Sequence, residues 1–455
     1  MDEMLDSKAL RDAARKSLWL NFGKDASYFD QPGAIIVAGE GSSLTDDRGF
    51  TVLDTLGGQA SSTVGYSNPR IVKAIAEQAG RLALNPSGWP ANVPAIRLAE
   101  RLIDMLPPAF GKVFFGNSGS DANETAIKIA RQYHRIRGEA GRFKTIVRRG
   151  GYHGSTFASG AASGYTHRRR AFEPLPPGFI HIEPPYCYRC PWGLQADSCG
   201  IACAEEFRRA IEFEDPASVA CYLGEPTIGG GGVIPAPDGY FKRIRELCDR
   251  HGILLIVDEV ITGLGRTGEW FDFPAHGIVP DMIVLAKGLT SGHAPLSAVI
   301  VRSEIAEVFA GAPDRVFQHG FTSGGNPLSC AAALANLDEM ADQALLPKVK
   351  AKAERCAAWA REMHERHHLV GDARVRGFMV GLELVRARED KEPMGSVPGF
   401  RDAVTRLGRE QGLLLFLVGT TLLLMPPLSM SDAELDQVLR GTERVLADLE
   451  ALFPA

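Results

Sequence analysis

A lysine, an acidic residue and a run of small hydroxyl residues stand at three places where an apolar run stops. Lys287 follows PDMIVLA, Asp258 closes GILLIV, and Ser118, Gly119 and Ser120 follow KVFFGN. Each offers a definite chemistry. A lysine amine taken out of water loses its proton more easily and becomes a nucleophile toward carbonyls. A carboxylate at the end of a buried strand is costly unless a cation or hydrogen-bond donors meet it. Backbone N–H groups at a helix start, backed by hydroxyl side chains, make a seat for phosphate. Taken singly, each has a plain structural reading: Ser120 or Asp121 as an N-cap, Asp258 and Lys287 as polar caps on strand ends. Together they meet the needs of pyridoxal phosphate. Lysine forms a Schiff base with its aldehyde, aspartate pairs with the ring nitrogen, and the helix start takes the phosphate.

Other motifs compete for attention. GLGRTG (Gly263 to Gly268) matches a dinucleotide fingerprint, but no helix pattern opens on its last glycine, so it reads as a glycine-rich connection. HERHH places His364 and His368 four apart, a zinc-chelating spacing on one helix face, yet it closes a helix pattern without a strong third ligand nearby. CYRCPWGLQADSCGIAC carries Cys187, Cys190, Cys199 and Cys203. It reads as free thiols or a disulfide, or as a structural zinc site, and no metal is assigned to the chemistry. Arg168, Arg169 and Arg170 form the one tight basic run, read as a solvated loop or helix end ahead of a phosphate or carboxylate clamp.

The elements that must position these residues follow from periodicity. Short apolar runs (KVFFG, FKTIV, VACYLG, GILLIV, MIVLA, SAVIV) alternate with amphipathic helices, the pattern of an α/β fold with a mostly parallel sheet buried on both faces. The helix after Ser118 shows Ala126, Ile129, Ala130 and Tyr133 at helical spacing. Asp258 and Lys287 lie roughly thirty residues apart, one α/β step. After Asn326 the texture becomes Ala-rich helix followed by strand–helix–strand, a smaller α+β part that the N-terminal strands around GAIIVAGEG and TVLD are expected to join. The division is 1–58 (small domain, N-terminal segment), 59–325 (large domain) and 326–455 (small domain, C-terminal part).

Composition narrows the classes. The chain has 455 residues, 45% hydrophobic and 23% charged, with a formal net charge of -5. That charge argues against a nucleic-acid partner. The N-terminus lacks a basic segment followed by an apolar one, so no secretory signal is read. GLLLFLVGTTLLLMPPL is broken at Gly419 to Thr421 and reads as two buried strands around a turn, not a membrane span. Scattered cysteines in a long chain point to a reducing, cytoplasmic setting.

The order NSGSDANETAIK, GGYHGST, GEPTIGGGGVIPAPDGYF, LLIVDEVITGLGRTG, PDMIVLAKGLTSG, HGFTSGGNPLSCAAA and RVRGFMVGLEL resembles class III, or omega, aminotransferases of pyridoxal-phosphate fold type I over nearly the whole chain. The resemblance implies a seven-stranded large domain and a small domain formed by both termini. It implies transfer of an amino group from a primary amine or omega-amino compound to a keto acid or aldehyde, through a Lys287 Schiff base and the pyridoxamine form. It assigns catalysis to Lys287 and Asp258, and the phosphate to Ser118, Gly119 and Ser120. Tyr152 stacks on the ring with His153 beside it, Val260 packs on the other face, and Glu225 lies near the phenolic oxygen, gating a carboxylate-binding arginine. Thr322 reaches the phosphate of the neighbouring subunit, which implies a homodimer with shared sites, in some relatives paired into a tetramer. Trp89, Ala60 and Phe416 are expected to line an apolar substrate pocket. One departure stands out. Relatives place a carboxylate-binding arginine at the positions of Phe416 or Leu423, and here no basic residue lies between Arg409 and Arg440. An alternative therefore stays open, a class III amino-acid or lactam racemase using the same lysine. A binding module without catalysis is disfavoured, because Lys287 and Asp258 are both present.

Overall fold

The computed structural model describes residues 6–22, 26–86 and 90–454. Its centre is a seven-stranded sheet. From one edge the strands run Phe110–Gly116, Ser297–Arg302, Met282–Leu285, Leu254–Asp258, Val219–Gly224, Lys144–Arg148 and Phe179–Ile182. All neighbours are parallel except Ser297–Arg302, which runs antiparallel to both of its own.

Both faces of this sheet are buried, as the near-continuous apolar runs require. Successive side chains alternate between them. Leu255, Val257, Ile283 and Leu285 pack with Phe207, Ile244 and Leu247 on one face. Leu254, Ile256, Met282 and Val284 pack with Ala122, Ala126, Ile129 and Ala130 on the other. The latter four lie on the helix Gly119–Ile136. Continuing the alternation from Ile256, Asp258 falls on the face that this helix covers.

A four-stranded sheet joins Val370–Val375, Val380–Leu384, Thr421–Leu424 and Phe416–Val418, packed against Leu345–Arg366 and Asp432–Leu452. The expected strand pair around Gly419 is present, with Phe416 opposite Leu423. Its burial is uneven. Leu423 is buried, but Phe416 lies on the edge strand and is 44% exposed. The N-terminal strands Ile36–Glu40, Ser43–Asp46 and Thr51–Asp54 form a second sheet that ends on Leu413–Leu414, parallel to Thr51–Asp54. The two ends of the chain therefore meet in one sheet.

The cysteine-bearing segment is a strap across these parts. Arg189 donates to the buried Glu383 and to the Lys391 carbonyl, and Lys391 Nζ donates to the Tyr188 carbonyl at 2.6 Å. Cys187, Cys190, Cys199 and Cys203 line one cavity of about 190 Å³ with Tyr186 and Trp192. All are free thiols, and among the described residues no group of His, Cys, Asp and Glu is placed to hold a metal. HERHH is split by structure: the helix ends at Arg366, and His368 lies beyond it, paired with Glu450. GLGRTG is a tight connection whose buried Arg266 donates to the carbonyls of Pro426, Phe378 and Ser62. No helix among the described residues is long and apolar enough to cross a membrane.

Candidate active site

Asp258 closes a fully buried strand and is itself 3% exposed. Its cost is met by three donors. Oδ2 accepts from His153 Nδ1 at 2.7 Å and Asn123 Nδ2 at 2.9 Å, and Oδ1 accepts from the Val260 backbone N–H at 3.1 Å. Asn123 also donates to the His153 carbonyl at 2.8 Å, so helix and loop share the carboxylate. Donors that leave Oδ1 with spare capacity suit a carboxylate that must stay charged beside a protonated ring nitrogen.

Lys287 lies just past the neighbouring strand, whose Val284 is in register with Asp258. It is half-buried and holds a left-handed conformation, φ 44°. That costs a non-glycine residue about 1–2 kcal/mol, and such strain gathers at functional sites. Desolvation lowers the lysine amine to about 8, against the raising influence of Glu225 and Asp258. Both carboxylates are therefore close enough to be felt by it.

Ser118, Gly119 and Ser120 form a capped helix start. Ser118 caps the helix Gly119–Ile136, its Oγ accepting from the Asp121 N–H at 3.2 Å. Ser120 Oγ accepts from the Ser155 N–H at 3.1 Å, tying the helix start to the loop after Tyr152. A Cβ on Gly119 would lie 3.3 Å from Val260 and 3.7 Å from Ala286, so this glycine brings the helix start against the ends of both strands that carry Asp258 and lead to Lys287. Loop, helix start and strand ends converge on one place, and their donor set fits pyridoxal phosphate: an amine for the aldehyde, a charged acid for the ring, N–H groups for the phosphate.

Glu225 is buried and organises the loops. Its Oε1 accepts from the Tyr152 N–H and its Oε2 from the Gly229 N–H, both at 3.0 Å. Burial raises its pKa, with the charge of Asp258 adding to this and His153 opposing it. Its carboxylate pairs with no arginine among the described residues. Ala60 is buried in an apolar cluster with Leu56, Val233, Leu423 and Met425. Phe416 is not in that cluster. Thr322 sits in an exposed turn after Phe321 and makes no side-chain hydrogen bond among the described residues. Trp89 lies outside the described residues.

Sequence reasoning missed Asn123. A polar residue on the buried face of an otherwise apolar helix was its available signal, being 1% exposed between Ala122 and Ala126. It also missed Phe22 and Tyr165, whose rings reach the Tyr152 region only through folding.

The family profile "Aminotransferase class-III" matches residues 26–446. The chain belongs to the class-III aminotransferases. It is 38% identical to a probable aminotransferase of Mycobacterium tuberculosis, over 97% of this chain and 95% of that one. It is 36% identical to the putrescine–pyruvate aminotransferase of Pseudomonas aeruginosa, over 93% and 92%. Among solved structures it resembles an amine transaminase from an uncultivated Pseudomonas species in its pyridoxal-phosphate-bound form, with a TM-score of 0.91, 32% identity, and coverage of 95% and 99%. An aminotransferase of this class, on the fold-type I scaffold, agrees with the sheet order and the site. These similarities lend no support to the racemase alternative.

Proposed function

We propose that this aminotransferase moves the amino group of a primary amine or omega-amino compound to a keto acid such as pyruvate, with pyridoxal phosphate held by the residues just described. The observation that carries the reading is the register of two parallel strands: Asp258 ends one, and Lys287 follows the next, with Val284 opposite Asp258. When bound, the cofactor supplies a ring that takes up negative charge as the substrate C–H bond breaks. Asp258 would pair with the ring nitrogen, and His153 and Asn123 hold the Asp258 carboxylate in place. Ser118, Gly119 and Ser120 would hold the phosphate at the helix start. Tyr152 and Val260 would pack against the ring. Lys287 would hold the aldehyde end, and its amine would serve as the proton-transferring base. An amine lowered to about 8 is well matched to giving and taking that proton near neutrality.

The similarity to a pyruvate-dependent relative supports a keto acid as acceptor. The apolar wall around Ala60 and Leu423 supports a donor with an apolar body. The exposed Thr322 supports a homodimer in which each subunit completes its partner's phosphate seat. The N-terminal strands on Leu413–Leu414 support a small domain built from 1–58 and 326–455 around a large domain, 59–325. Free thiols support a cytoplasmic setting.

Lys287→Ala tests the core of this reading. The variant should lose at least ~10²-fold in amine-to-pyruvate transfer and lose the borohydride-sensitive visible band of the loaded protein. Full activity in that variant would sink the assignment.

A further inference from the structure

We infer that Arg374 is a positioning residue for the cofactor cover: it grips the glycine run 229–232 and through that run holds Tyr152. This deepens the transamination reading, on which the role of Tyr152 rests.

Four consecutive glycines have no side chains with which to anchor themselves, and ordering them costs more backbone entropy than ordering other residues. Their backbone nevertheless lies directly against the Tyr152 loop. A Cβ on Gly231 would come within 2.6 Å of the Gly150 carbonyl oxygen, and one on Gly230 within 3.8 Å of Tyr152 Cβ. The Gly229 N–H donates to Glu225 Oε2, and Oε1 of the same carboxylate accepts from the Tyr152 N–H. Glycine run and Tyr152 thus share a contact face and a carboxylate, so whatever fixes the first constrains the second.

Arg374, on the strand Val370–Val375, supplies the grip. Its Nε donates to the carbonyls of Gly232 and Val233, both at 3.1 Å, and its Nη2 donates to the Gly232 carbonyl at 2.9 Å. Gly232 has φ 119°, and a Cβ there would lie 2.9 Å from Thr421 Oγ1 and 3.3 Å from Arg374 Nη2. Glycine therefore lets the guanidinium close on the carbonyl. The opposite side of the fork is equally engaged. Nη1 donates to Asp372 Oδ2 at 2.5 Å and to Glu383 Oε2 at 2.8 Å. The Tyr186 ring lies 5.0 Å from the guanidinium carbon, and the arginine side chain is 9% exposed. Glu383 Oε1 in turn accepts from Arg189 of the cysteine strap. A planar fork bonded on two sides is fixed in direction as well as in place. Asp372 and Glu383 already neutralise the charge. The three further bonds to loop carbonyls are what bind the glycine run to the neighbouring sheet.

The test separates the grip on the loop from the ion pairs behind it. Arg374→Lys keeps a cation for Asp372 and Glu383 but has no fork left for Gly232 and Val233. Gly232→Ala attacks the same contact from the loop side. Asp372→Asn removes an ion pair and leaves the grip in place. Amide exchange read by mass spectrometry follows the Tyr152 and Gly229 N–H groups, with and without pyridoxal phosphate. Both groups should exchange at least about tenfold faster in Arg374→Lys and in Gly232→Ala, and within about twofold of wild type in Asp372→Asn. The Kd for pyridoxal phosphate should rise about tenfold in the first two variants, and the visible circular dichroism of the bound cofactor should weaken. In a Tyr152→Ala background, Arg374→Lys should change that Kd by less than about twofold, because its effect passes through Tyr152. Unchanged exchange at Tyr152, equal losses in all three variants, or full additivity with Tyr152→Ala would overturn the inference. Should wild type bind no cofactor, the transamination reading fails, and exchange at Tyr152 still decides for or against Arg374.

Discussion

The amine of Lys287 is brought down to about 8 because the site strips water from it, and the negative charges of Glu225 and Asp258 offset only part of that. An ordinary lysine titrates near 10.4. The neutral amine attacks an aldehyde, and raising the pH produces it. Apoprotein mixed with pyridoxal phosphate should therefore capture it at a rate that climbs with pH and levels off above about 8, as read by stopped-flow absorbance. Glu225→Gln removes an anion that favours the charged amine, so the same profile should shift to lower pH. A rate still climbing at about pH 10 would contradict the local burial of the amine. At this scale the sequence was legible where type and position coincide. Lys287 and Asp258 stand at the ends of apolar runs, and Ser118 opens a helix. Asn123 was not, because nothing in its neighbours along the chain says what it meets across space.

At the scale of elements, the proposed phosphate seat rests on two backbones approaching closely. Gly154 has φ 141°, and a Cβ on it would come within 2.8 Å of Ser120 Cα and 2.2 Å of Ser159 Oγ. Gly154→Ala must push the loop off the helix start, a strain of about 1–3 kcal/mol. The Kd for pyridoxal phosphate, by titration of apoprotein, should rise about tenfold or more. Gly160→Ala, in the adjacent helix Phe157–Ala162, is the control. Its nearest atom would be 3.9 Å away, and helix propensity favours alanine, so affinity should stay within about twofold. The elements themselves were readable from period. Alternating residues of Leu254–Asp258 and Met282–Leu285 pack on opposite faces, as continuous apolar strands of a parallel sheet do. The uneven hairpin was not readable, because Phe416 and Leu423 are both apolar and only their place in the sheet leaves one at an open edge.

For the whole molecule, the proposed homodimer makes a sharp demand. If Thr322 serves the partner's phosphate, then Lys287→Ala and Thr322→Ala subunits, each inactive or weak alone at limiting cofactor, complement each other when mixed. A heterodimer would contain one site with Lys287 from one subunit and Thr322 from the other. Unfolding and refolding the two variants together should restore amine-to-pyruvate transfer well above either alone. No gain, with dimers confirmed by sedimentation, would place Thr322 outside the site. The cysteine strap belongs to this scale as well. Its spacing suggested metal, but the fold uses the segment to carry Arg189 and Tyr188 onto Glu383 and Lys391, nearly two hundred residues away.

By itself the sequence determined the chemical parts and the local forms that carry them. Apolar runs, caps and glycines act over a few residues, and there Lys287, Asp258 and the helix start at Ser118 could be placed at the ends of their elements. Only the tertiary structure decided which parts meet. It set the strand order, turned Ser297–Arg302 antiparallel, put Asn123 on Asp258, and stacked Arg168 on Tyr152. Those contacts join segments distant in the chain, and their partners are chosen by the packing of whole faces, which no local pattern encodes.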